Sequence, residues 1–132
     1  MTTMLETRDI ILSYLYDNWT ATDISWPNKT YNPGVNTSFI KIFFTGGRSV
    51  DLEIGIKGAD LNSFTTFIDV FVPINTGNRQ SLTYADELRT LFINFDHNDI
   101  QLKAPAIIEL GENSGFYQTR VSIPTRILFY PI

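Results

Sequence analysis

The chain contains no cysteine among its 132 residues, which excludes disulfide bonds and thiolate metal ligands. It also lacks basic runs: its ten lysines and arginines occur singly, and the formal net charge is −4. Because clustered basic residues drive most binding to nucleic acid, we expect no specific nucleic-acid partner. No apolar stretch approaches the roughly 18 residues of a membrane span, so we expect no membrane partner either.

Signatures of catalysis are missing as well. The only histidine, His97, lies in a polar Asp-His-Asn-Asp stretch that lacks the glycine and glutamate of a calcium loop. Glu109 and Glu112 have the right chemistry for an acid–base pair, but they fall at a strand end and in a turn, where carboxylates are usually solvated. A hydrolase using these two glutamates is the least favoured alternative. We therefore expect a protein that is not an enzyme and holds neither a cofactor nor a metal.

Apolar and aromatic residues are plentiful: 43% of the chain is hydrophobic, and ten residues are phenylalanine. A chain of this size and composition can bury one real core, which predicts a single domain over residues 1–132. Its N-terminus lacks the basic start and apolar run of a signal peptide, so a soluble, intracellular protein is the expectation.

Hydrophobic periodicity predicts two helices, at residues 4–19 and 78–93. The apolar stripe of the first comprises Ile11, Leu12, Leu15, Tyr16 and Trp19. Strands are predicted at 39–45, 50–56, 64–72, 100–110 and 116–130, with a hairpin turn at Gly46-Gly47 and a turn-rich connection over 24–38. This order predicts an α+β domain, in which both helices pack on one face of a mostly antiparallel sheet of about five strands.

The turn Thr76-Gly77-Asn78 lies between a strand and a helix, a position where many proteins hold a phosphate. It lacks the lysine of a Walker loop and the extra glycines of a dinucleotide fingerprint. The favoured interpretation is structural: Gly77 permits the sharp reversal, and Thr76 or Asn78 caps the helix. The alternative function is a small-ligand module that binds a phosphate-bearing molecule in the Thr76–Arg79 turn.

A second apolar surface needs an explanation beyond a single core layer. If the helices cover the sheet face bearing Ile68 and Val70, aromatic and charged residues alternate on the opposite face. This second surface comprises Phe39, Lys41, Phe43, Phe67, Asp69 and Phe71. Such a mixture suits a subunit or partner interface. Cover by the connection 24–38 is an equally open alternative.

Several motifs occur together in one order: "ISWPN" with "YNP" a few residues on, then "IDVFVPINTG", "ADELRTLF" and "YQTRVSIP". In this combination the chain resembles the tail terminator, or tail completion, proteins of tailed bacteriophages, in the group similar to the minor tail protein U of lambda-like phages. The resemblance covers most of the chain, from about Leu5 to Ile127. None of the motifs is catalytic, so the resemblance implies a fold and a structural role rather than an active site.

The resemblance implies a structural virion protein that caps the tail tube, ends its polymerisation and provides the joining surface for the head connector. The implied partners are further copies of the chain in a ring, typically a hexamer, the major tail tube protein and the head–tail connector protein. The implied location is the head-proximal end of the virion tail, after assembly in the host cytoplasm. Residues 46–63 are longer and more strand-like than the family pattern. We expect a projecting hairpin there, which contacts the tube or the connector through Arg48, Asp51, Glu53 and Lys57.

Overall fold

A computed structural model describes residues 4–34, 37–51, 60–74 and 78–129 as two helices and one six-stranded sheet. The helices are α1 (Met4–Asn18) and α2 (Asn78–Ile93). The strands are β1 (Asp23–Ser25), β2 (Phe39–Asp51), β3 (Asp60–Pro73), β4 (Ile100–Leu102), β5 (Ala106–Asn113) and β6 (Phe116–Phe129). The predicted α+β class is confirmed. Among the described residues, no helix is long and apolar enough to cross a membrane.

The sheet is mostly antiparallel, as predicted. Its strand order is β1-β2-β3-β6-β4, and β5 also pairs with β6. Only β1 joins its neighbour in parallel, through the pairs from Asp23↔Phe39 to Ser25↔Lys41. The long central strands β3 and β6 pair along fourteen residues each, so they form the spine on which the other elements are placed.

The predicted hairpin turn at Gly46-Gly47 is wrong. Strand β2 continues through both glycines to Asp51, and its register with β3 shifts between Thr45 and Arg48. Gly46 has a φ of 79°, which a residue without Cβ adopts readily, so the pair forms a bulge within the strand. The hairpin is instead made by β2 and β3, which still pair at Asp51↔Asp60. The rest of the predicted strand 50–56 lies outside the described residues.

Two further boundaries differ from the prediction. The expected strand 100–110 is divided into β4 and β5 by the segment 103–105, because Pro105 has no N–H for a ladder. The N–H of Lys103 bonds the carbonyl of Pro124 instead, at 3.0 Å. In addition, the short strand β1 (Asp23–Ser25) overlaps the start of the predicted connection 24–38. These two differences add two strands, whereas the start of the strand predicted at 50–56 belongs to β2, so the described residues form six strands instead of about five.

Both helices pack on the sheet face that carries Ile68 and Val70, as expected. The core between them contains Ile11 and Leu15 of α1, Ala85, Leu88 and Phe92 of α2, and Ile40, Ile42, Val121 and Ile123 of the sheet. Full burial of each large apolar side chain contributes about 1.5–3 kcal/mol to folding. The predicted stripe of α1 was too wide: its buried residues are Thr7, Ile11 and Leu15, whereas Tyr16 is 69% exposed.

Hydroxyl groups within this core form pairs. Ser81 Oγ of α2 lies 2.5 Å from Thr119 Oγ1 of β6, and Thr66 Oγ1 lies 3.0 Å from Thr125 Oγ1 across β3 and β6. Each pair satisfies polar atoms that would otherwise be buried without a partner. Tyr14 connects the helices by donating its hydroxyl to the carbonyl of Leu91 at 2.6 Å.

Candidate functional site

The sheet face turned away from the helices, here called the open face, contains all six residues of the predicted second surface. They form three successive cross-strand pairs, Phe39↔Phe71, Lys41↔Asp69 and Phe43↔Phe67. Side chains on one face of a strand recur every two residues, which is why alternation in the sequence was enough to group them. The structure thus brings all six together on β2 and β3.

One end of the open face is an aromatic cluster. The rings of Phe39 and Phe71 stack with centroids 4.7 Å apart, and Phe116 of β6 meets the Phe39 ring edge-on at 5.3 Å. Tyr31, from the connection between β1 and β2, lies against Phe39 at 4.9 Å. Phe39 is consequently only 8% exposed. The connection therefore does cover this end, as the loop alternative anticipated.

Tyr31 is fixed in that position by a hydrogen bond from its hydroxyl to Asp23 Oδ2, at 3.0 Å. Partial burial, together with this bond and the charge of Asp23, raises the pKa of Tyr31 to about 12. The hydroxyl therefore keeps its proton, and can donate to Asp23, up to a higher pH than that of an ordinary tyrosine. The Tyr31 ring can then keep covering Phe39.

The middle of the open face holds a buried carboxylate. Asp69 is 2% exposed, and Arg120 of β6 holds it with two bonds, Nε to Oδ1 at 2.9 Å and Nη2 to Oδ2 at 3.1 Å. Gln118 donates its Nε2 to Oδ2 at 2.8 Å and in turn accepts from Asn113 of β5. This chain of contacts links β3, β6 and β5. It fixes the position of a guanidinium on the surface, because such bidentate pairs have a defined geometry.

The other end of the open face remains half-buried. The guanidinium of Arg120 lies 4.6 Å from the ring centre of Phe67 and 5.5 Å from that of Phe43. Lys41 Nζ lies 5.9 Å from the Phe43 ring. Two aromatic rings and two cations thus form one surface, an arrangement in which cation–π attraction holds the cations over the rings.

Arg120, Gln118 and Phe116 are members of this surface that the sequence prediction missed. Alternation in the sequence of β6 puts Gln118 and Arg120 on one side of the strand and Val121 and Ile123 on the other. A buried aspartate also needs a cation, which was the available signal. What the sequence did not provide was the pairing of Asp69 with Arg120, since they are 51 residues apart.

The other predicted site residues are only partly described. Arg48 and Asp51 lie near the end of β2, whereas Glu53 and Lys57 lie outside the described residues, so the projecting hairpin stays a prediction. Thr76 and Gly77 are outside them too, and Asn78 is the first residue of α2. Both the structural turn and the alternative ligand turn therefore stay predictions.

The residues considered for catalysis or metal binding have local roles. His97 Nδ1 accepts a hydrogen bond from the N–H of Asp99 at 3.2 Å, within a tight turn before β4. Glu109 accepts from the Tyr117 hydroxyl at 3.2 Å, and Glu112 is exposed. Within the described ranges, no three histidine or acidic residues are grouped closely enough to hold a metal ion.

Comparison with known proteins adds information on the fold alone. No family model and no curated protein matches the chain. One solved structure, whose name states no function, superposes with a TM-score of 0.61. The alignment covers 95% of this chain and 98% of the other at 16% identity. At that identity the likeness shows a shared architecture over the aligned part of the chain, without indicating what either protein binds.

Proposed function

We propose that the protein is a structural subunit of a phage tail. Copies of it form a ring on the head-proximal end of the tail tube, end tube polymerisation and provide the joining surface for the head connector. The observation that carries this proposal is the open face, a second aromatic and charged surface opposite the core. The order of motifs in the sequence supports the choice of a tail terminator among proteins that act by contact alone.

The composition of the open face supports a contact surface. Interfaces are enriched in aromatic residues and arginine, and their strongest contributors lie in well-packed, water-excluded patches. Here Phe43 and Phe67 are half-buried beside the fixed guanidinium of Arg120. These side chains are held by their neighbours before any partner arrives, so binding costs little side-chain entropy.

A ring also sets a geometric requirement. Copies must contact one another head to tail, through two different surfaces of the same chain. The rotation from each copy to the next must also close the ring. The core already occupies the helix side of the sheet. The open face and the sheet edges are then the surfaces that serve neighbouring copies, the tail tube and the connector.

Light scattering coupled to size-exclusion chromatography tests the proposal, using the protein at high concentration with and without the tail-tube protein of the same genome. We expect a ring-sized oligomer, alone or on tubes, and electron microscopy should show it at one tube end. A protein that remains a monomer under both conditions and never caps tubes contradicts the proposal.

The open face can be tested separately with Phe43→Ser and Phe67→Ser. Both should weaken ring formation or tube capping, because each removes a half-buried ring from the contact surface. Leu5→Ser is the matched control, since Leu5 is 69% exposed on α1, on the helix side of the sheet. Equal behaviour of the control and the two phenylalanine variants contradicts a role for the open face.

A further inference from the structure

A pocket of about 500 Å³ opens at the edge of the sheet, where β1 ends. Strand β1 covers β2 only as far as the pair Ser25↔Lys41. Beyond that pair, no described strand lies on this side of β2, which continues to Asp51. The free edge of β2 therefore runs out of the pocket, and its backbone groups can pair with an added strand.

The lining of the pocket is basic. Three of the ten cations of the chain, Arg8, Lys29 and Lys41, line it, and no aspartate or glutamate does so among the described residues. This is notable in a protein with a net charge of −4. Trp26 and Phe44 supply aromatic walls. A pocket with this charge favours an anionic group.

Arg8 is a cation of this pocket whose hydrogen bonding is incomplete among the described residues. Its guanidinium carbon lies 5.0 Å from the ring centre of Phe44 and 5.4 Å from that of Phe64, so the rings hold the group in place. Its Nε is buried and has no hydrogen-bond partner among the described residues. Buried donors are almost always satisfied, and an arginine fork matches a carboxylate in particular.

The opposite edge of the sheet has complementary properties. Strand β5 pairs with β6 on one side, and no described strand pairs with its other side. Ile108 and Leu110 are 45% and 44% exposed there, and Glu109 and Glu112 are exposed beside them. An edge strand with exposed aliphatic residues is a liability for a soluble protein unless a partner covers it.

We infer that the basic pocket and the free edge of β2 bind the acidic edge strand β5 of a second copy. The strand order puts β2 and β5 on opposite sides of the β3–β6 spine, so one copy cannot satisfy its own pocket. The contact is head to tail, and a carboxylate of Glu109 or Glu112 occupies the pocket beside Arg8. This inference rests on the proposed ring and names the two surfaces that join its subunits.

Two charge-reversed variants test it. Lys29→Glu/Lys41→Glu makes the pocket repel the acidic strand, and Glu109→Lys/Glu112→Lys makes the strand repel the basic pocket. All four side chains are exposed, so the fold should survive, which circular dichroism can verify. Each variant alone should associate at least about tenfold more weakly than wild type, because like charges then face each other. An equimolar mixture should recover association, since every pocket then meets a strand of opposite sign in alternating order.

The controls apply equal charge changes elsewhere on the exposed surface. They are Arg79→Glu/Lys103→Glu for the pocket variant and Asp86→Lys/Glu87→Lys for the strand variant. Sedimentation velocity, alone and with tail tubes, should show these controls associating within about threefold of wild type.

The outcomes separate this inference from the proposed function. If wild-type rings form, but the reversed variants associate as well as their controls or the mixture fails to recover, the inference is overturned and the ring proposal stands. If wild type never associates under any condition, both are overturned together. If neither variant associates by itself but their mixture does, the inference is supported. A contact between two identical patches predicts no such rescue.

Discussion

Replacing Asp69 by alanine should lower the free energy of unfolding by about 2–4 kcal/mol. The carboxylate is 2% exposed and accepts three hydrogen bonds, two from Arg120 and one from Gln118. Its removal leaves the Gln118 amide, on a residue that is 8% exposed, without an acceptor, which costs about 1–3 kcal/mol.

Breaking a fully buried ion pair costs about 3–5 kcal/mol. The loss here is smaller because the Arg120 side chain is 28% exposed and can turn to water. Urea unfolding followed by the fluorescence of Trp19 and Trp26 measures the change. A double-mutant cycle with Arg120→Ala should give a coupling of about 1–3 kcal/mol, since the two side chains bond directly.

Lys41→Ala is the matched control. Lys41 is the cross-strand partner of Asp69, but its Nζ lies over the Phe43 ring at 5.9 Å, and the side chain is exposed. It should change stability by less than about 0.5 kcal/mol. Additive effects of Asp69→Ala and Arg120→Ala, or an equal loss in Lys41→Ala, would refute the reasoning.

Three further predictions concern single groups. In a spectrophotometric titration, the difference between wild type and Tyr31→Phe should show tyrosinate forming at about pH 12, since burial and the bond to Asp23 raise the pKa of Tyr31. The stability that this pKa shift contributes is fully present below about pH 10 and declines as the pH rises toward 12. Formation of the Tyr31 tyrosinate near pH 10 would contradict this prediction. Ser81→Ala should lower the free energy of unfolding, measured in urea, by about 1–2 kcal/mol, because it leaves the Thr119 hydroxyl buried without its partner. Combining it with Thr119→Val should recover part of that loss. A double variant with no recovery would count against the pairing of the two hydroxyl groups. Gly46→Ala should lower the free energy of unfolding by about 1–2 kcal/mol, because the φ of 79° at this position is strained for a residue with Cβ. Gly46→Asn should lower it less. An alanine variant as stable as wild type would argue against the bulge.

Local periodicity was sufficient for much of the fold. Helix α2 has the predicted bounds, 78–93, because its apolar residues recur at helical spacing and one face meets the sheet. Strict alternation placed the six residues of the second surface on one face of β2 and β3 before any pairing was known. Both signals are properties of neighbouring residues, so they survive without tertiary information.

Pairing between distant segments was decided only by the tertiary structure. A Gly-Gly pair is compatible with a hairpin turn and with a bulge, and the long ladder between β2 and β3 selected the bulge at Gly46-Gly47. The division of the strand predicted at 100–110 likewise followed from how β4 and β5 each align on β6.

The surroundings of Asp69 show most clearly which features the sequence determined and which the tertiary structure decided. The sequence by itself determined that a carboxylate interrupts an apolar strand and that Arg120 lies in another strand of alternating pattern. Only the register of β3 against β6 set Asp69 opposite Arg120. Likewise, only the folding of α1 and of the connection between β1 and β2 against β2 brought Arg8, Lys29 and Lys41 around one pocket. Charges far apart in sequence acquire a shared environment through strand register and packing, which no local pattern encodes.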